Sequence, residues 1–154
     1  MLSKVSKVSK VSKLIRNRTF STFIQDLKTN MNSRTTIGLE PEILNVDDVN
    51  NLIKELKNPC LGEEIFLLNQ FKNRILPGVD RTSKIKAEFL NNICNEKDFS
   101  PIIDKYDAID ILGTMKGGYN IEILVKLLDS NLAKNACDNL KNNILIFDYY
   151  YQVE

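Results

Sequence analysis

Cys60, Cys94 and Cys137 are the three thiols of this 154-residue chain, and it has no histidine. Thiolates and imidazoles at short spacing hold a structural zinc or an iron–sulfur cluster. Three cysteines at wide, irregular spacing offer neither that spacing nor an even number for a disulfide framework. A reduced compartment suits such a chain. Cys94 falls beside the helical stripe of Ile85, Phe89, Leu90 and Ile93 and reads as a small buried or half-buried side chain. The adjacent carboxylates Glu63 and Glu64 are the type of pair that does acid–base work. They follow Gly62 at the start of an apolar segment, however, where negative charge suits the positive end of a helix.

A second chemical candidate is the stretch Leu112-Gly113-Thr114-Met115-Lys116-Gly117-Gly118-Tyr119-Asn120-Ile121, with three glycines in six residues. A phosphate cradle would place the glycines after a strand and follow the lysine with Ser or Thr, and neither context is present. The glycines fit a tight connection whose backbone visits positive φ.

The elements that would position these groups are helical. From Val46 onward apolar residues recur at helical spacing, and short polar or Gly/Pro breaks divide them into segments. Asp47 or Asp48 is expected to cap a helix carrying Val49, Leu52, Ile53 and Leu56, stopped by Asn58-Pro59. A second, with Ile65, Phe66, Leu68 and Phe71, is expected to run until Pro77-Gly78. Thr82 or Ser83 starts a third, and Asp104 caps a fourth through Tyr106, Ile109 and Leu112. Asn120 is expected to cap the fifth, bearing Ile121, Ile123, Leu124, Leu127 and Leu128. Ser130 or Asn131 opens the last, with Leu132, Ala133, Ala136, Leu140, Ile144 and Leu145. The fold class expected is all-α: a HEAT-like α-solenoid of about six short antiparallel helices with a flexible N-terminal tail, an irregular bundle being the alternative. The chain ends in Phe147-Asp148-Tyr149-Tyr150-Tyr151, aromatic surface that calls for a cover or a contact.

The net charge of +1 conceals an asymmetry. Residues 1–25 hold six basic side chains (Lys4, Lys7, Lys10, Lys13, Arg16, Arg18) and no acid; the remaining fifteen face all twenty acids, so the tail carries +6 and the body −5. The repeated Ser-Lys-Val of residues 3–13 and the Arg18-Thr19-Phe20-Ser21 pattern read as a mitochondrial transit peptide over residues 1–20, cut after Phe20. The expected location is the mitochondrial matrix. A basic arm for nucleic acid or anionic lipid is the alternative. Residues 21–45 read as a linker and 46–154 as the folded domain, and no apolar run is long enough to span a membrane.

Several short motifs occur together and in order: Asn58-Pro59, Gly62-Glu63-Glu64, Phe66-Leu67-Leu68, Asn73-Arg74, Pro77-Gly78-Val79-Asp80, Lys86-Ala87, Phe89-Leu90, Leu112-Gly113-Thr114-Met115 and Gly117-Gly118-Tyr119-Asn120-Ile121. Through them the stretch from Val46 to Glu154 resembles the N-terminal domain of bacterial B-type aconitate hydratase, the family that is also a 2-methylisocitrate dehydratase. The resemblance implies a non-catalytic, HEAT-like docking or regulatory domain that packs on catalytic domains and shapes substrate access, with Gly117, Gly118, Tyr119 and Asn120 as the candidate interface or substrate-channel turn. It implies a [4Fe–4S] cluster only in the full-length family, held by cysteines that have no counterpart here, so no cofactor is expected in this chain. The partner expected is a protein, either aconitase catalytic domains or a second copy. Neither a membrane nor nucleic acid is expected, and lyase activity is not expected of the chain alone. The alternatives are an N-terminal fragment of a split or truncated aconitate hydratase and, from another class, an RNA-binding regulator.

Overall fold

The computed structural model describes residues 21–116 and 118–143. Among them seven helices occur and no strand: α1 (Thr22–Thr36), α2 (Val46–Lys57), α3 (Glu64–Asn73), α4 (Arg81–Cys94), α5 (Lys105–Thr114), α6 (Tyr119–Leu127) and α7 (Ala133–Lys141). The all-helical expectation holds, and the short links are compatible with HEAT-like stacking. None of these helices is long and apolar enough to cross a membrane. The residues divide into two units, the first ending at Arg74 and the second beginning at Ile75.

In the first unit α2 packs on α3. Val49, Leu52 and Leu56 of α2 are fully buried, as are Leu67 and Phe71 of α3. The linker expectation for residues 21–45 is corrected here. That stretch holds α1, with Ile24 and Leu27 buried, and Lys28 reaches Glu63 at 2.7 Å. Its apolar stripe is thin and its face polar, so periodicity alone gives little sign of a helix. The α2 cap is Asn45, whose side chain accepts from the backbone N–H groups of Asp47 and Asp48. Asp47 and Asp48 are therefore first-turn acids instead of caps. Helix α3 ends at Asn73, short of Pro77, because Arg74 leaves the helix to bind the α1–α2 link.

In the second unit α5 lies against α4, α6 and α7, and α6 packs on α7. Phe89, Leu90, Ala108, Ile109, Leu112, Leu124 and Ala136 form its core. The absence of a side chain at Gly113 is what lets α7 approach, since a Cβ there would lie 1.8 Å from Asn139 Oδ1. Asp80, and not Thr82 or Ser83, caps α4; both hydroxyls instead donate to its carboxylate. Burial works against that carboxylate, but the Ser83 and Thr82 hydrogen bonds outweigh it and hold its pKa below the ordinary value. Asp104 caps α5 as expected, in a reciprocal box with Asp107. Helix α7 starts after Leu132, whose N–H donates to Ser130 Oγ, so Ser130 opens the turn without being the cap. Ile144, Leu145 and the tyrosine run lie outside the described residues, as does the tail 1–20.

Candidate functional site

The Gly-rich turn joins the end of α5 to the start of α6. Gly117 lies outside the described residues; Gly118 is the residue before α6, with φ 85° and ψ −128°. No side chain caps α6, and a Cβ at position 118 would meet the carbonyl oxygen of Gly78 at 2.8 Å and Val79 Cγ1 at 3.0 Å. The turn thus rests against the Pro77-Gly78-Val79-Asp80 segment, and two of the quoted sequence motifs form one packed feature.

Tyr119 and Asn120 play different parts. Tyr119 is half-buried at the first position of α6, with Lys84 Nζ over its ring at 6.0 Å. Such a contact adds a fraction of a kcal/mol, roughly 0.5, when the lysine is exposed. Asn120 is not the expected cap. It is completely buried within the first turn, and its Nδ2 donates to the carbonyls of Leu112 (2.9 Å) and Met115 (2.8 Å) and to Asn143 Oδ1 (3.2 Å). Helix C-termini leave carbonyls without intrahelical partners, and Asn120 serves those at the end of α5. Its Oδ1 is buried without a partner. Asparagine caps commonly act on their own helix, so a cap directed at the preceding one has no signature in local sequence.

The chemistry of the turn is therefore connective: it holds α5, α6 and the chain near Asn143 in one arrangement and exposes Lys84 and the edge of Tyr119 beside it. Sequence reasoning missed Asn143 as part of this cluster. The only available signal was a polar residue near the end of an amphipathic segment.

Cys60 belongs to the first unit, and Cys94 and Cys137 to the second. No group of three His, Cys, Asp or Glu side chains among the described residues could hold a metal ion. Burial pushes the Cys94 thiol from its ordinary value near 9.0 up to about 11, so at neutral pH it is a protonated thiol. Two results follow. A maleimide reagent at pH 7 should label the half-buried Cys137 well before Cys94 and Cys60, as mass mapping of the labelled chain will show. Because the folded-state pKa is raised, the stabilisation from Cys94 is complete below pH 9 and is lost as pH climbs from about 9 to about 11. A Cys94→Ala chain should lack that part of the alkaline fall in stability.

Comparison with known proteins bears on what this turn belongs to. Residues 26–154 match the Aconitate B N-terminal domain family. Aconitate hydratase B of Pseudomonas aeruginosa is 43% identical over 131 residues, covering 84% of this chain and 15% of its own. The same protein of Escherichia coli is 39% identical over 132 residues, covering 85% and 15%, and that of Salmonella typhimurium 38% over 132, again 85% and 15%. The chain spans about 15% of the length of these curated relatives. The matrix location expected from the basic tail is corrected by them: the relatives are bacterial throughout, and bacteria have no mitochondrial matrix to enter. They lend no support to an import function for residues 1–20, because the match begins only at residue 26. Basic, acid-free composition is shared by import signals and by other charged arms, so composition could not separate them. With a family match over residues 26–154 and relatives up to 43% identical over most of its length, the chain belongs to the Aconitate B N-terminal domain family.

Proposed function

We propose that this chain is a non-catalytic docking domain, acting on the larger remaining part of a B-type aconitase through protein contact. The observation that carries the reading is one of proportion: the matched stretch makes up 15% of the relatives, as an N-terminal domain. The turn around Gly118 and Asn120 is consistent with it, since the Asn120 amide hydrogens are spent on internal hydrogen bonds. In such a domain the turn is a rigid connection beside which Lys84 and Tyr119 are presented.

The test is direct. The purified chain is titrated against Pseudomonas aeruginosa aconitate hydratase B deleted of its matched N-terminal stretch, once a cooperative melt shows that this remainder is folded. We expect saturable association, together with no dehydration of citrate or isocitrate by the chain alone. Failure to bind, or turnover by the isolated chain, overturns the proposal. The same proportion favours one other reading, that the chain is the N-terminal piece of a split or longer aconitate hydratase. Intact mass of the endogenous protein separates the longer chain from the docking domain, because only the longer chain requires a much larger species.

A further inference from the structure

The link between α1 and α2 combines two properties. It presents aliphatic side chains to solvent: Ile37 is 69% exposed, Leu39 49% and Ile43 55%. Connecting segments are usually more mobile than the elements they join, yet this one is fastened along its length. At its start, the N–H groups of Gly38 and Leu39 donate to Thr35 O (3.0 Å) and Arg34 O (2.9 Å), with Gly38 at φ 76°. In its middle, Arg34 Nε donates to Glu40 O and Arg34 Nη1 to the Glu42 carboxylate, each at 2.8 Å. At its end, the buried Arg74 donates through Nε and Nη2 to Glu42 O and through Nη1 to Gln70 Oε1, while Leu44 N donates to Arg74 O at 2.9 Å. Leu44 itself is buried and anchors the link to the unit's core.

Two arginines are thus committed to holding the backbone of a segment that turns Ile37, Leu39 and Ile43 outward beside the exposed Glu40 and Glu42. Three large aliphatic side chains turned to solvent within seven residues offer apolar area to a contact. A surface already rigid before contact loses little conformational freedom on association, so its apolar area is translated more fully into affinity. The charge pattern narrows the occupant. Arg34 and Arg74 are matched by Glu42 and by carbonyl oxygens, so the link offers no free cationic group to a phosphate backbone or an anionic surface. It suits a protein face that meets Ile37, Leu39 and Ile43 with apolar groups and leaves Glu40 and Glu42 at the rim.

We infer that the segment Ile37–Ile43 is the docking surface of the first unit and that its occupant is the remaining part of a B-type aconitase chain. The inference rests on the proposed docking function and names the surface that performs it. The occupant follows from proportion: in the relatives this domain is one piece, 15% of the chain, joined to a body several times larger. Such a body is at hand to cover an aliphatic surface that water otherwise meets.

The experiment compares the full chain with its Ile37→Asp/Leu39→Asp/Ile43→Asp variant by calorimetric titration against the same folded remainder of the Pseudomonas aeruginosa relative. All three positions are exposed, so the variant should melt like the parent. Affinity should fall by at least roughly tenfold, as for the loss of a central apolar contact. Val79→Asp, an exposed position in the second unit, should bind as the parent does. Arg34→Ala, which frees the link without adding charge to its outer face, should weaken binding by about threefold through lost pre-organisation and serves if the triple variant does not fold. Unchanged affinity of both link variants overturns the surface assignment and leaves the docking function standing, whereas no binding by the parent chain overturns both. A parent dimer that becomes monomeric in the triple variant gives the surface to a second copy and overturns the inference. So does binding that arises only after removal of residues 1–20, which would make the chain's own tail the occupant.

Discussion

Replacing Asn120 with Asp should destabilise the folded chain by roughly 4 kcal/mol at pH 7, and the loss should shrink as the pH is lowered. Asn120 is fully buried and spends both amide hydrogens on the carbonyls of Leu112 and Met115 and on Asn143 Oδ1. A carboxylate there is an acceptor facing acceptors, and it is a buried charge. Removing the correct partner from a buried polar group and leaving a charge in its place costs about 3–5 kcal/mol. The sign of the pH dependence follows from burial. Desolvation raises the carboxyl pKa in the folded state above its unfolded value, so the variant is relatively most stable below the unfolded value and loses stability as pH rises through the folded one. Once protonated, the acid offers one O–H to one of the two carbonyls. Asn120→Ala should behave differently. It removes the unpaired Oδ1 along with the donor, Leu112 O keeps the N–H of Met115, and the buried Met115 carbonyl loses its donor, as does the part-buried Asn143 Oδ1. The expected cost is about 2 kcal/mol for that carbonyl and the space left behind, and it should be flat with pH. Thermal melts of the three chains between pH 4 and 8 separate the cases. Equal, pH-independent losses would show that Asn120 merely fills volume.

That residue also marks the limit of what could be read from the amino acids alone. The six helices from Val46 onward were legible because their stripes are strong, as with Val49, Leu52 and Leu56 on α2 or Phe89, Leu90 and Ile93 on α4, all buried. The stop at Asn58-Pro59 and the Asp104 cap were legible for the same local reasons. What escaped were features that join residues far apart in the chain. Asn120 completes the helix before it, Arg74 leaves α3 to hold the chain at Glu42, and Ser83 donates back to Leu76 O. Each is a side chain to backbone hydrogen bond across a turn or link, and no periodicity records such a partner. Helix α1 escaped for another reason. Only Ile24 and Leu27 bury fully along its length, while Thr29, Ser33, Thr35 and Thr36 turn their hydroxyls onto carbonyls of their own helix, a pattern that composition reads as loop. The surface placed on the α1–α2 link is of the same kind. Ile37, Leu39 and Ile43 would ordinarily be assigned to a core, and only the arginine clasps show that they are held outward.

The glycine-rich turn was legible as a turn but not as a contact, and a second substitution distinguishes the two. Gly118→Ala should cost about 3 kcal/mol or more, a drop in melting temperature on the order of 10 °C for a domain of this size. Two separate effects add. At φ 85° and ψ −128° an L-residue other than glycine is strained by roughly 1–3 kcal/mol. The new methyl group would also meet the Gly78 carbonyl oxygen at 2.8 Å, a backbone atom that cannot turn aside as a side chain can, with Val79 Cγ1 at 3.0 Å. Gly38→Ala isolates the first effect, since Gly38 also has positive φ, 76°, but nothing within 4 Å of the added carbon. It should cost only about 1 kcal/mol. If the two substitutions prove equally harmful, the packing of the turn on Gly78 contributes nothing and backbone strain alone explains the glycine. If Gly118→Ala is clearly worse, the glycine is accounted for by the chain's own Pro77–Asp80 segment. A ligand cradle is then unnecessary to explain why that position has no side chain, and the search for this domain's external contacts moves to the exposed link of the first unit.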